Sequence, residues 1–376
     1  MNAIIKSILE ETAASGNLRT VALEDSPASL VDLSSNDYLG LAADNSLRES
    51  FLAGEAAATT PLSASASRLL AGCQKTFTSL EATLADAYGS AALLFNSGYH
   101  ANTGIVSALG SIKNTYIIAD KLVHASIIDG IKLSGAPFAR FRHNDYSHLA
   151  SLAAKASKEY VNILIIAESV YSMDGDRADI DAIAEIKRQT PGAILLVDEA
   201  HAVGVEGQAG LGLVASSASR GDVDIIVGTF GKALASAGAY AITDDVMRQF
   251  LINKARSFIF STALPPFVIA WSEHVFRNMT GMDSRRSHLK KLGLRLSEIL
   301  RPYGGSTSGG HIQPLIAGSA SKAVEWSRSL RSDGFCVLPI RTPTVPPGTD
   351  RLRFSLSADL DLAALDNLSE SLSHIN

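Results

Sequence analysis

The sequence predicts an α/β fold with a mostly parallel central sheet, followed by a smaller α+β domain, and three observations carry that expectation. Six apolar runs of strand length lie between Ser90 and Ile242, and most lack polar alternation, as strands buried on both faces do. Helical patterns separate these runs. Beyond about Pro265 the pattern changes to long helices and a few strands. At 376 residues the chain exceeds the roughly 150 usual for one domain, so it should divide into an N-terminal segment 1–45, a large domain 46–270 and a small domain 271–376.

Taken in order, Met1–Glu11 reads as an amphipathic helix, because it lacks the long apolar stretch and small-residue cleavage site of a signal peptide. Thr76–Tyr88 places Phe77, Leu80, Leu84 and Tyr88 on one helical face, and Gly89 supplies the stop. The strand candidates are Ala91–Phe95, Tyr116–Ala119, Asn162–Ala167, Ala193–Val197, Asp224–Val227 and Ala239–Ile242, with helices at Leu149–Tyr160 and Ile180–Thr190. In the last third, Ile312–Ala317, Phe335–Ile340 and Arg351–Ser357 read as strands. Thr342–Gly348, with three prolines and a glycine, is a rigid irregular loop.

Composition removes several classes of function. Thirty-three Lys+Arg against 38 Asp+Glu leave a net charge of −5, so the basic excess that drives nucleic-acid binding is missing. Cys73 and Cys336 are the only cysteines, which offers neither a disulfide framework nor a cysteine zinc site, and no metal is expected. No apolar run approaches the roughly 18 residues that span a bilayer. A cytoplasmic protein without a membrane or nucleic-acid partner is expected.

Ile194–His201 reads I-L-L-V-D-E-A-H, a buried strand delivering Asp198, Glu199 and His201 to the strand end where open α/β sheets bind ligands. Such letters also occur in DEAH-type nucleotide hydrolases, but those need a phosphate loop. At Leu69–Thr76 the glycine positions hold Leu69 and Gln74, and around Gly231-Lys232 the required glycine and hydroxyl positions hold Ile226 and Ala233. Asp224–Leu234 is a strand followed by a small-residue turn bearing Lys232, 34 residues beyond Asp198. An isolated lysine is ordinarily a solvated charge. A lysine in such a turn, an acid at a neighbouring strand end and the Thr229 hydroxyl together suit pyridoxal phosphate, which needs an amine for a Schiff base, a carboxylate for the ring nitrogen and donors for the phosphate. Phe95–Gly104 adds a strand end and glycine turn whose amides at Ser97, Gly98 and Tyr99 could bind an anion. His124 alone reads as a structural histidine.

Seven ordered motifs then coincide: S-S-N-D-Y-L-G-L (34–41), G-Y (98–99), H-A-S (124–126), S-M-D-G-D (172–176), V-D-E-A-H (197–201), T-F-G-K (229–232) and S-T-A-L-P-P (261–266). In these the sequence resembles the α-oxoamine synthases, pyridoxal-phosphate enzymes of the aspartate-aminotransferase-like fold type I. Within the family, I-Q-P-L-I (312–316), R-T-P-T-V-P-P-G-T (341–349) and R-L-R-F (351–354) are most similar to the members that condense L-alanine with a pimeloyl thioester. The acyl carrier there is coenzyme A or an acyl-carrier protein. Members that condense glycine with acetyl-CoA are the alternative.

The resemblance implies that Lys232 holds the cofactor covalently, His124 stacks on its ring and Asp198 pairs with the ring nitrogen. His201 and Ser172 bracket the ring oxygen, while Gly98, Tyr99 and Thr229 hold the cofactor from one subunit. Ser261 and Thr262 reach the phosphate across a homodimer interface with shared active sites. Asn36 and Arg353 take the amino-acid carboxylate with His124 beside it, Thr344 borders the acyl chain, and Arg19 or Arg341 pairs with its far carboxylate or with coenzyme A phosphates. Ala235 stands where relatives often have glycine, which makes the turn after Lys232 less permissive.

Overall fold

The structure, a computed structural model, describes residues 1–19, 21, 29–306 and 308–373. The chain divides into two units: Leu39–Tyr171 with Arg177–Arg286, and Met1–Tyr38 with Ser172–Asp176 and Ser287–Asn376. The larger unit therefore runs past 270, because the helix Pro266–Met279 packs on the helix Gln74–Tyr88 inside it. The N-terminal residues belong with the C-terminal ones, since Val31–Asp32 forms a short parallel pair with Phe335–Cys336.

Seven strands make the sheet of the larger unit: β1 (Ala91–Phe95), β2 (Thr115–Asp120), β3 (Phe138–Phe141), β4 (Asn162–Glu168), β5 (Ala193–Asp198), β6 (Ile225–Thr229) and β7 (Ala239–Thr243). Their order is β1-β7-β6-β5-β4-β2-β3, with β7 antiparallel to both neighbours and every other pairing parallel. The six expected strands form within a residue or two of their expected ends. β3 is additional, an edge strand in which Phe141 is buried and Phe138 exposed, so it carries no unbroken apolar run.

Leu93, Ile117, Leu164, Ile166, Leu196 and Val227 from the sheet pack with Ile105 and Leu109 of the helix Gly98–Gly110 and Ile127 and Ile131 of the helix Ala125–Ser134. Each such side chain contributes roughly 1.5–3 kcal/mol on burial. That core fixes β2, β4, β5 and β6 as a rigid rack. Being parallel, they present Asp120, Glu168, Asp198 and Thr229 along one edge of the sheet.

The smaller unit holds a three-stranded antiparallel sheet of β8 (Ile312–Ile316), β9 (Leu338–Ile340) and β10 (Arg351–Ser355), in the order β9-β10-β8. Pro314 and Pro339 sit on the two outer strands, where a missing N–H costs no central ladder bond. The expected strand Phe335–Ile340 is split at Val337, its first part pairing with Val31–Asp32 and its second with β10.

Candidate active site

In the larger unit a cavity of about 150 Å³ is lined by Gly98, Tyr99, Asn102, His124, Glu168, Asp198, Ala200, His201, Thr229 and Lys232. Seven of these are residues the sequence nominates. Asn102, Glu168 and Ala200 are additions. Glu168 carries a detectable signal, an acid directly after an apolar strand like that of Asp198, but Asn102 is a single polar residue in a helix.

Lys232 lies in a tight turn after β6. Phe230 N–H donates to Gly238 O at 3.0 Å, Ser236 N–H to Phe230 O at 2.9 Å, and Ala235 N–H to Lys232 O at 2.9 Å. Ala235 adopts φ +44°, the left-handed region the missing glycine would have eased, and Trp271 Nε1–H pins its carbonyl at 3.1 Å. The outcome is a lysine held against the strand end. Its Nζ lies 2.6 Å from His201 Nε2.

Asp198 is buried, its Oδ2 accepting from Asn102 Nδ2 at 2.7 Å and its Oδ1 from Ala200 N–H at 2.9 Å. His124 caps the helix Ala125–Ser134, Nδ1 accepting from Ser126 N–H at 3.2 Å, and its own backbone N–H donates to Glu168 Oε1. Burial holds the His124 pKa below its usual 6.5 and Lys232 adds to that, with Asp198 opposing, so the ring is neutral. Burial, reinforced by Asp198, pushes Glu168 well above the usual carboxylate range against the pull of Lys232.

Glu199 departs from the expectation that V-D-E-A-H delivers it with Asp198 and His201. Residues adjacent in an extended chain project to opposite sides, and Glu199 is buried away from the cavity lining with Oε1 accepting from Leu213 and Val214 N–H at 2.7 and 3.1 Å. Burial, only partly offset by those donors, pushes it up to about 7.

The first turn of the helix Gly98–Gly110 is capped by Ser97, whose Oγ accepts from His100 N–H at 3.2 Å, and Tyr99 OH donates to Asp129 Oδ2 at 2.6 Å. The Thr229 hydroxyl donates to Gly238 O at 3.0 Å and accepts from Gly231 N–H at 3.2 Å, so in this geometry it shapes the lysine turn. Ser261 and Thr262 are absent from the lining of the cavity. They are tied instead to Asn96, whose Nδ2 donates to Ser261 Oγ at 3.1 Å and Thr262 O at 2.5 Å.

In the smaller unit Arg353 is buried, donating from Nη2 to Asn36 Oδ1 at 3.1 Å and Tyr38 OH at 3.3 Å, and from Nε to Ser172 O at 2.6 Å. Arg19 Nη2 donates to Thr344 Oγ1 at 3.0 Å, and Arg341 donates to Gly16 O. Thus the expected carboxylate pair meets in one cluster, and the expected acyl-chain residues in another.

The residues present fit pyridoxal phosphate. An amine, a buried carboxylate with fixed donors, a neutral imidazole and the open end of a helix surround one cavity of ring-like size. Among the described residues no helix is long and apolar enough to cross a membrane.

Comparison with known proteins agrees. The model of the family "Aminotransferase class I and II" matches residues 28–372. An 8-amino-7-oxononanoate synthase of Chlorobaculum parvum is 46% identical over 91% of this chain and 88% of its own. A solved serine palmitoyltransferase with its PLP internal aldimine superposes with TM-score 0.89 at 27% identity, covering 99% of this chain and 96% of the other. A solved 8-amino-7-oxononanoate synthase of Francisella tularensis superposes with TM-score 0.76 at 28% identity, covering 92% and 98%.

Proposed function

The chain belongs to the class I and II aminotransferase family, and on that premise we propose that it is a pyridoxal-phosphate acyltransferase of the α-oxoamine synthase type, making 8-amino-7-oxononanoate for biotin biosynthesis. It condenses L-alanine with a pimeloyl thioester. The acyl C–S bond is exchanged for a bond to alanine Cα, the thiol leaves with the proton that Cα gives up, and the Cα–carboxylate bond breaks to release CO2, a second proton, drawn from solvent, taking the carboxylate's place at Cα.

The observation that carries this reading is the convergence of Lys232, His201, Asp198 and His124 on one cavity. Bound there, pyridoxal phosphate supplies an electron-withdrawing ring that stabilises negative charge at Cα. Lys232 Nζ is the amine that attaches the cofactor and moves the Cα proton, and its neighbour His201 Nε2, 2.6 Å away, keeps it oriented. The Asp198 carboxylate holds a proton at the ring nitrogen. His124, whose pKa burial holds below its usual value, would face the bound ring without adding a cation that competes with that proton.

Gly98 and Tyr99 offer the helix end to the phosphate, with Thr229 beside them, and Ser172 joins His201 at the ring oxygen. Arg353, set by Asn36 and Tyr38, takes the amino-acid carboxylate. Thr344 borders the acyl chain, and Arg19 or Arg341 meets its far carboxylate. Ser261 and Thr262, held by Asn96, serve the phosphate of a second subunit in a homodimer. Borohydride reduction of the yellow protein followed by peptide mapping tests the core of this reading. The adduct is expected on Lys232, and an adduct on another lysine overturns the assignment.

A further inference from the structure

We propose that Asn102 is a positioning residue which, through Ser126, locks the Asp198 carboxylate and the His124 ring into one hydrogen-bonded unit. The inference rests on the cofactor reading above for its purpose, and on the geometry for its existence.

Asn102 is buried in the second turn of the helix Gly98–Gly110. Its Nδ2 carries two protons, and both are used: one meets Asp198 Oδ2 at 2.7 Å, the other Ser126 Oγ at 3.0 Å. A carboxylate only accepts, so the amide can stand in just this orientation, since flipping it would set two acceptor oxygens together. Ser126 is fully buried, and having accepted from Asn102 it turns its own proton to His124 Nδ1 at 2.7 Å. The same Nδ1 faces Ser126 N–H at 3.2 Å. Two donors at Nδ1 make it the acceptor nitrogen, which leaves the proton on Nε2.

One amide thereby relays the orientation of the ring-nitrogen acid to the stacking imidazole. The cost is visible on its other side, where Asn102 Oδ1 is buried with no hydrogen-bond partner among the described residues. An unpaired buried carbonyl carries a desolvation penalty that an apolar residue of similar shape would avoid. The two donated bonds account for an asparagine here.

The test uses the full-length enzyme with pyridoxal phosphate bound, comparing the parent with Asn102→Ala and Ser126→Ala. Two signals are read: the tautomer of His124 by nitrogen-15 histidine NMR, assigned by loss of the signal in His124→Phe, and the pH midpoint of the bound cofactor's absorbance. The parent should show His124 protonated at Nε2. Both variants should show a mixture of tautomers. Asn102→Ala should also move the absorbance midpoint by about one pH unit and weaken cofactor binding about 10-fold, from loss of one charge-assisted bond, while Ser126→Ala keeps cofactor affinity within about threefold. A folded Asn102→Ala with parental tautomer and midpoint overturns the proposal. If that variant does not fold, an unchanged tautomer in Ser126→Ala overturns it equally. The tautomer can be read without cofactor, so a parent that takes up no pyridoxal phosphate sinks the functional reading while Ser126→Ala still decides the hydrogen-bonded unit.

Discussion

Glu168 and Asp198 end adjacent parallel strands as direct register partners, so two buried carboxyl groups line one cavity side by side. Like charges so placed cannot both be retained cheaply, and burial, reinforced by Asp198, pushes the Glu168 pKa well above the usual carboxylate range. Asp198, with two donors on its oxygens, keeps the role at the ring nitrogen proposed for it above.

If Glu168 is neutral, its task is to accept the His124 backbone N–H, which an amide oxygen can also do. Glu168→Gln should therefore keep kcat within about threefold of the parent. Glu168→Ala, which leaves that N–H unpaired, should lose about 10-fold or more. Steady-state kinetics on both variants check this, and a large loss in Glu168→Gln would show that its charge is used.

Glu199 makes stability depend on pH in a stated direction. Its pKa rises from 4.5 unfolded to about 7 folded, so between those values the unfolded chain gives up the proton first. The folded state then loses stability as pH rises from about 4.5 to 7, by roughly 3 kcal/mol in all, and no further above it. Glu199→Gln keeps an acceptor for Leu213 and Val214 and removes the ionisation. Melting curves at several pH values should show the variant gaining on the parent across that window. Parallel curves would contradict the buried-acid account.

Much of this architecture is legible in the sequence because the buried strands are unbroken apolar runs, and because Gly89, with φ +68°, ends its helix as its position predicts. β3 is not legible, since an edge strand with an exposed Phe138 leaves no such run. At the site, Lys232 and Asp198 stand out by residue type and setting. Asn102 does not, for its meaning comes from a contact with Asp198 across 96 positions of chain. Glu199 misleads for the opposite reason: its place in the motif suggests the cavity, and only the alternation of the chain sends it elsewhere.

The homodimer with shared sites proposed above predicts complementation. Lys232→Ala should be inactive, and Thr262→Ala, which keeps the backbone carbonyl held by Asn96 but loses the hydroxyl proposed to reach the neighbour's cofactor phosphate, should be strongly impaired. After subunit exchange in equal amounts, each heterodimer keeps one site with a native lysine and a native threonine. Activity should recover to about a quarter of the parent's by random pairing of a two-fold dimer. Verified heterodimers with no recovery would place Thr262 in its own subunit's site.

The Arg19–Thr344 and Arg341–Gly16 bonds bring two cations to the proline-rich loop, suited to the far carboxylate of a dicarboxylic acyl chain and left without that partner by an acetyl group. The direct measurement is kcat/KM for L-alanine with a pimeloyl thioester against glycine with acetyl-CoA, following CO2 and thiol release in the same preparation. A preference of at least about 100-fold for alanine and the pimeloyl thioester is expected. Equal rates, or a preference for glycine and acetyl-CoA, would contradict it.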